Sequence, residues 1–137
     1  MNTATKPARP VAADPAQPYW DGLAQGELRF QCCNRCGHAW LPAHQECPQC
    51  LAADWQWKPA GGKATLVSWV VYHTAFNEAF KDKLPYTCAV VQLAEGPRMI
   101  SNIVHGVDPQ TLKIDQPLTL TIEREGDVAI PRFKPLG

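Results

Sequence analysis

Apolar and polar positions divide the chain into three stretches. Residues 1–18 carry proline and alanine without a cluster of aromatic or large aliphatic side chains. Such a stretch cannot bury enough apolar surface to offset the entropy lost on ordering, so a disordered tail is expected there. Tyr19-Trp20-Asp21-Gly22-Leu23 follows Pro18 and suits a helix of about two turns, which Gly26 can stop. Leu28-Arg29-Phe30-Gln31 then alternates apolar and polar and leads directly into Cys33. Asp54-Trp55-Gln56-Trp57-Lys58 alternates again after Cys50, so two short strands should flank the intervening cysteines. Pro59-Ala60-Gly61-Gly62 marks the boundary with the third stretch.

From Lys63 onward the pattern is that of a β protein. Strands are expected over 65–73, 86–93, 99–104, 118–122 and 128–130, separated by turn-rich links such as Glu95-Gly96-Pro97-Arg98 and Glu125-Gly126-Asp127. Five strands so linked suit a small closed or nearly closed barrel. Asp108-Pro109-Gln110-Thr111-Leu112 offers an N-cap followed by proline at the first helical position. A one-turn helix between the third and fourth strands would match an OB-fold. The fold class expected is therefore mostly β: a short N-terminal helix and a rubredoxin-like zinc ribbon, then a five-stranded OB-fold barrel. The expected division is a tail over 1–18, helix and ribbon over 19–60, and barrel over 61–137.

Composition narrows the chemistry. A module of about thirty residues rarely folds without a staple such as a metal. Lys+Arg and Asp+Glu stand at 13 each, so no global field points to nucleic acid or an anionic membrane. Neither part departs from that balance: residues 19–58 carry three basic and four acidic groups, and residues 59–137 carry eight of each. No apolar run approaches the ~20 residues of a membrane span, and the N-terminus lacks the apolar stretch of a signal peptide. A cytoplasmic location is expected, where thiols stay reduced. Six cysteines in that setting argue for metal binding rather than disulfides.

Four of the six are spaced C-x2-C-x10-C-x2-C, as Cys33, Cys36, Cys47 and Cys50. Two residues between paired thiolates let each pair wrap a tight knuckle around a tetrahedral ion, with metal–sulfur distances near ~2.3 Å. Gly37 after the first pair can supply the positive φ that aims backbone N–H groups at sulfur. Leu51 occupies the equivalent place after the second pair, so that turn is either strained or looser. Four thiolates leave no open coordination position, which makes the site structural rather than catalytic. Zinc is favoured, with iron as the rival that an S4 set also accepts. Cys32 reads as a strand residue pointing away from the metal, and Cys88 as a small core residue.

Taken in order, Y-W-D-G-L, G-E-L-R-F, C-N-R-C-G, C-P-Q-C, G-G-K-A-T-L-V-S-W-V-V, P-Y-T-C-A-V-V-Q-L, E-G-P-R-M-I-S-N-I-V and I-P-R-F-K-P resemble one family. It is the zinc-ribbon/OB-fold family of acyl-CoA-associated proteins, of the domain of unknown function 35 type. The likeness covers about residues 19–135. The resemblance implies a non-catalytic accessory subunit within a hetero-oligomer. Its partner would be a thiolase-like enzyme (a thiolase, acyltransferase or aldolase), with hydratases accompanying some relatives. It also implies acyl-CoA handled through the complex, with the CoA moiety as a candidate contact; the balanced charge and the lack of a long apolar run argue for no nucleic-acid and no membrane partner.

An active site of the chain's own is not expected. His38 and His44 lie in the ribbon loop beside a complete thiolate set and read as exposed loop residues. His73 and His105 end strands without a neighbouring acid and nucleophile, and no G-x-S-x-G elbow, P-loop or dinucleotide fingerprint is present. Phe76 and Phe80 are four residues apart in the link after His73, so one helical turn would place both on one face. They could cap the barrel's end, or the arm could dock on a partner subunit or line a route to its acyl-CoA site. Trp55 and Trp57 share strand parity and are assigned to core packing, leaving Trp40 as the interface candidate. Candidate partner or acyl-CoA contacts are thus Trp40, His73, Phe76 and Phe80. Two other functions compete. A single-stranded nucleic-acid module predicts a basic groove interleaved with aromatics. A rubredoxin-like iron electron carrier leaves the β-rich half without a purpose.

Overall fold

The computed structural model describes residues 16–73 and 85–136. The expected disordered tail over 1–15 and the arm bearing Phe76 and Phe80 lie outside the described residues. Helix α1 runs from Gln17 to Ala24, so Gln17 and Pro18, assigned to the tail, belong to the helix instead. Pro18 sits in its first turn, where the missing N–H has no intrahelical partner to lose. Gly26 takes a φ of +87° after the last turn. There the Glu27 N–H donates to the Gly22 carbonyl at 2.8 Å and the Gly26 N–H to the Leu23 carbonyl at 3.0 Å, the paired bonds of a Schellman stop. Arg124 donates to the Ala24 carbonyl at 3.0 Å, placing a cation at the helix C-terminus, where the dipole favours it.

The chain then enters strand β1 (Arg29–Cys33), the centre of an antiparallel sheet ordered β2-β1-β3, with β2 at Ala39–Trp40 and β3 at Trp55–Pro59. Strand β2 was not expected, because two residues are too few to show a period. Arg29 laces the helix to this sheet: its guanidinium donates to the Pro18 carbonyl (3.1 Å) and pairs with Glu27 (2.6 Å). A side chain at Gly22 would strike the Arg29 side chain at 2.8 Å, so this position needs its missing Cβ.

Strands β4 (Lys63–Tyr72), β5 (Tyr86–Leu93), β6 (Arg98–Ile103), β7 (Pro117–Glu125) and β8 (Val128–Pro135) close a barrel in the order β4-β5-β6-β8-β7. Antiparallel pairing of β4 with β7 seals it, and a short parallel ladder joins β6 to β8 through Asn102↔Arg132 and Ile103↔Phe133. That order is the OB-fold. A bulge between Leu66 and Ser68 shifts the register of β4, which lets one long strand curve around the barrel. The expected one-turn helix is present as a 3-10 turn, Pro109–Thr111, with Asp108 accepting from the Gln110 N–H at 2.9 Å.

The barrel core gathers Leu66, Val91, Leu93, Leu118 and Phe133 around the small residues Ala64, Ala89 and Ala129, and Leu23 and Leu28 from the N-terminal segment join it. Cys88 corrects the expectation of a core residue. It is half-buried on the outer face of β5, because Thr87, Ala89, Val91 and Leu93 hold the inward parity. Strands β7 and β8 run further than expected. β8 continues through Pro131, whose carbonyl accepts from the buried Ser101 hydroxyl at 2.9 Å.

Candidate metal centre

Two turns of near-identical construction bring four sulfurs together. β1 delivers Cys33 at its end, and the chain turns through Cys36 and Gly37 (φ +79°). β2 then returns, with the Cys33 N–H on the His38 carbonyl at 2.8 Å. The second turn repeats this with Cys47, Cys50 and Leu51, the Cys47 N–H donating to the Ala52 carbonyl at 2.8 Å. Leu51 adopts φ +66°, so its knuckle is not looser: a leucine with 74% exposure holds the left-handed conformation that glycine supplies in the first. The Gly37 N–H closes on the Cys33 carbonyl at 3.1 Å and the Leu51 N–H on the Cys47 carbonyl at 2.8 Å.

All four sulfurs lie within 4.8 Å of one another. Cys33 and Cys50 are 3.5 Å apart and Cys36 and Cys47 are 3.6 Å apart. A regular tetrahedron with bonds near ~2.3 Å has sulfurs about 3.8 Å apart, so the set fits one ion. Backbone N–H groups of Arg35 and Cys36 point at the Cys33 sulfur (3.3 and 3.4 Å), and those of Gln49 and Cys50 at the Cys47 sulfur (both 3.4 Å). Donation from the Cys36 N–H, against burial, lowers the Cys33 thiol to about 7. A backbone N–H from His38 favours the Cys36 thiolate, yet burial and the neighbouring thiols push that group up to about 12. Four thiolates at this spacing cannot all stay ionised alone; a divalent cation removes the conflict.

Around the sulfurs sits a small aromatic core. Trp40 is 4% exposed and packs with Cys33 and Cys47, with Ala52 and Trp55 against them. This corrects the placement of Trp40 at an interface: its pairing opposite Gln31 sends the indole inward, while Trp55 and Trp57 are only half-buried. Trp55 meets both of the others edge-on, and its Nε1 donates to the Gln45 carbonyl at 2.7 Å. Gln31, fully buried, acts as an extra strand residue: its amide donates to the His44 carbonyl (2.8 Å) and accepts from the His44 N–H (2.9 Å). His44 is exposed and His38 stacks on Trp40. Cys32 lies outside the four-sulfur set.

His73 sits exposed at the end of β4, so the structure does not bring it to Trp40 in the ribbon core. Sequence reasoning missed Arg132. It is 8% exposed and held by Glu123 (2.7 Å) and Glu125 (2.8 Å), carboxylates two apart and hence on one face of β7. This triad lines a small cavity at one end of the barrel with Thr87, Asn102 and His105. On the outer face of β4–β6, Tyr72 stacks on Tyr86 (5.1 Å), beside Val70, Val90 and Ile100. That face is apolar where a nucleic-acid groove would be basic. Among the described residues, no helix is long and apolar enough to cross a membrane.

A cysteine ribbon joined to a closed five-stranded barrel defines the class as a zinc-ribbon/OB-fold protein. Residues 20–56 match the model for the ChsH2 rubredoxin-like zinc ribbon domain, and residues 57–123 that for the ChsH2 C-terminal OB-fold domain. A DUF35 domain-containing scaffold protein of Methanothermobacter thermautotrophicus is 32% identical over 111 residues, 75% of this chain and 82% of that one. A probable enoyl-CoA hydratase alpha subunit of Thermomonospora curvata is 31% identical over 118 residues, 85% of this chain. The chain spans 36% of that subunit's length. Among solved structures, the Ltp2-ChsH2(DUF35) aldolase superposes with a TM-score of 0.81 at 30% identity, covering 93% of this chain and 98% of that one. The chain belongs to the DUF35 family, in its ChsH2-like form.

Proposed function

We propose that this protein is a non-catalytic accessory subunit of a cytoplasmic acyl-CoA-processing complex, braced by a structural zinc on Cys33, Cys36, Cys47 and Cys50. The observation that carries the reading is the end-to-end match to the DUF35 chain of an aldolase, 98% of whose length this chain covers. Relatives named as scaffold proteins and as a hydratase alpha subunit support the same role. The partner is an aldolase-like, acyltransferase or thiolase-like enzyme, and the accessory chain contacts the acyl-CoA within the assembly. A closed four-thiolate set supports a bracing metal over a reacting one. Zinc is preferred to iron because residues 20–56 match the model of a zinc ribbon domain and its four cysteines stand ready for one ion.

The test is co-expression with a candidate thiolase-like, acyltransferase or aldolase-like enzyme from the same source, with an affinity tag on one chain only. Co-purification in fixed ratio is the expected result. Separate elution, with full activity of the enzyme alone, would sink the subunit reading.

A further inference from the structure

Ten residues, Gly37 to Glu46, join the two knuckles, and their middle serves two cores. Trp40 packs with Cys33 and Cys47, while the next residue, Leu41, packs against the barrel core. Successive side chains of an extended chain leave opposite faces, so a single peptide link joins the surroundings of the sulfurs to the barrel. Leu41, Pro42 and Ala43 then wall one side of an apolar cleft of about 650 Å³, together with Trp20 of α1 and Met99 and Ile100 of β6. His44 returns to the ribbon, where the Gln31 amide holds both its N–H (2.9 Å) and its carbonyl (2.8 Å). The holds on this wall are unequal. On the ribbon side it hangs between β1, the strand that bears Gln31 and Cys33, and Cys47, three residues after His44. On the barrel side, among the described residues, no hydrogen bond ties 41–46 to a barrel strand. Helix α1 is tied the other way: Leu23 and Leu28 sit in the barrel core, and Arg124 of β7 donates to the Ala24 carbonyl.

We propose that metal occupancy operates residues 41–43 as a gate on the barrel surface. In the loaded chain Trp40 is seated between Cys33 and Cys47 and sets Leu41, Pro42 and Ala43 against the cleft. In the stripped chain the two knuckles no longer close on each other, and residues 40–46 leave the cleft while α1 and the barrel stay folded. Leu41 alone does not hold the wall, because it is a single half-buried side chain without a backbone bond beside it. A chain short of metal therefore presents a different face beside β6 from a loaded one. The device needs only the ribbon and the barrel, and it holds whether or not a partner is bound.

The chain has two methionines and one of them, Met99, lines the cleft, so a methyl-labelled sample carries its own reporter there. Full-length protein is compared by NMR when zinc-loaded and when stripped by a chelator, with thiols kept reduced by a phosphine. On stripping, relaxation of the Met99 methyl by a soluble paramagnet should rise at least about threefold and the His44 amide should exchange at least about 100-fold faster, with added zinc restoring both. The Glu27, Leu93 and Val104 amides, bonded in the helix stop and the barrel, should keep their exchange rates within about tenfold. A Met99 signal that stripping leaves unchanged would show that the barrel holds the wall by itself. Equal loss of protection at Leu93 and Val104 would show one cooperative unit with no gate. Either result overturns the proposal. Leu41→Ala separates the two holds: loaded with zinc, it should keep His44 exchange within about threefold of wild type, with Leu93 and Val104 reporting an intact barrel. Loss at His44 as large as that caused by stripping would assign the wall to the barrel and overturn the proposal as well.

Discussion

The two knuckles differ at one position, and that difference can be measured. Gly37 and Leu51 hold φ of +79° and +66° at matching places after Cys36 and Cys50. An added Cβ at Gly37 would meet nothing within 4 Å, so Gly37→Ala tests backbone strain without a clash. Left-handed backbone costs an L-residue roughly 1–2 kcal/mol. Alanine recovers about 0.4–1 kcal/mol by restricting the unfolded chain. The net loss is about 1 kcal/mol, and because ribbon folding and metal binding are coupled it should appear as zinc affinity about fivefold weaker. Leu51→Gly relieves the same strain and gives up little burial, since the leucine is 74% exposed. After the entropic cost of glycine, its affinity should rise about twofold. Competition against a chromophoric zinc chelator reads both variants. A Gly37→Ala protein with unchanged affinity, or a Leu51→Gly protein that binds more weakly, would refute the matching of the two knuckles.

The packing and the ionisable groups give three further expected outcomes. Cys47→Ser should lower zinc affinity by more than about 100-fold, because outer-shell partners alone account for about 10–100-fold; metal analysis of the purified protein would show less than one ion per chain. Phe133 is fully buried at the barrel's centre, so Phe133→Ala should cost about 3–5 kcal/mol in urea unfolding. The Tyr19 phenol, raised by burial to about 12, should ionise later than the ordinary value of 10.0. Its folded-state value is raised, so the stability from the neutral form is complete below that ordinary value and disappears as pH climbs towards 12. Alkaline difference spectra of the wild-type and Tyr19→Phe proteins read the phenolate directly.

Much of this architecture was legible because it rests on local signals. Cysteine spacing announces the knuckles without any knowledge of the surrounding fold, and the turn chemistry at Asp108 and Gly26 names a cap and a stop. Alternation located every barrel strand but not its ends. Pro131 reads as a breaker, yet β8 passes through it, because its place between β6 and β7 decides the matter. Trp40 differs from expectation for a related reason, while Trp55 packs against the ribbon core as its parity predicts. Parity orders residues within a strand, but which side is buried depends on the partner strand, and β2 is too short to announce itself. Cys88 went wrong by the same margin, since a single residue's shift exchanges the two faces of β5. The Arg132 triad was visible as Glu123 and Glu125 two apart, but only the β7–β8 register joins them to an arginine seven or nine residues on.

In the proposed assembly a metal-braced ribbon and barrel serve another chain's chemistry. Native mass spectrometry of the co-expressed pair tests it most directly, by weighing complex and metal together. The expected result is a hetero-oligomer carrying one zinc for each copy of this chain, and an isolated chain that turns over no acyl-CoA substrate. A chain found only by itself, or one that retains its place in the assembly after the zinc is stripped, would contradict it.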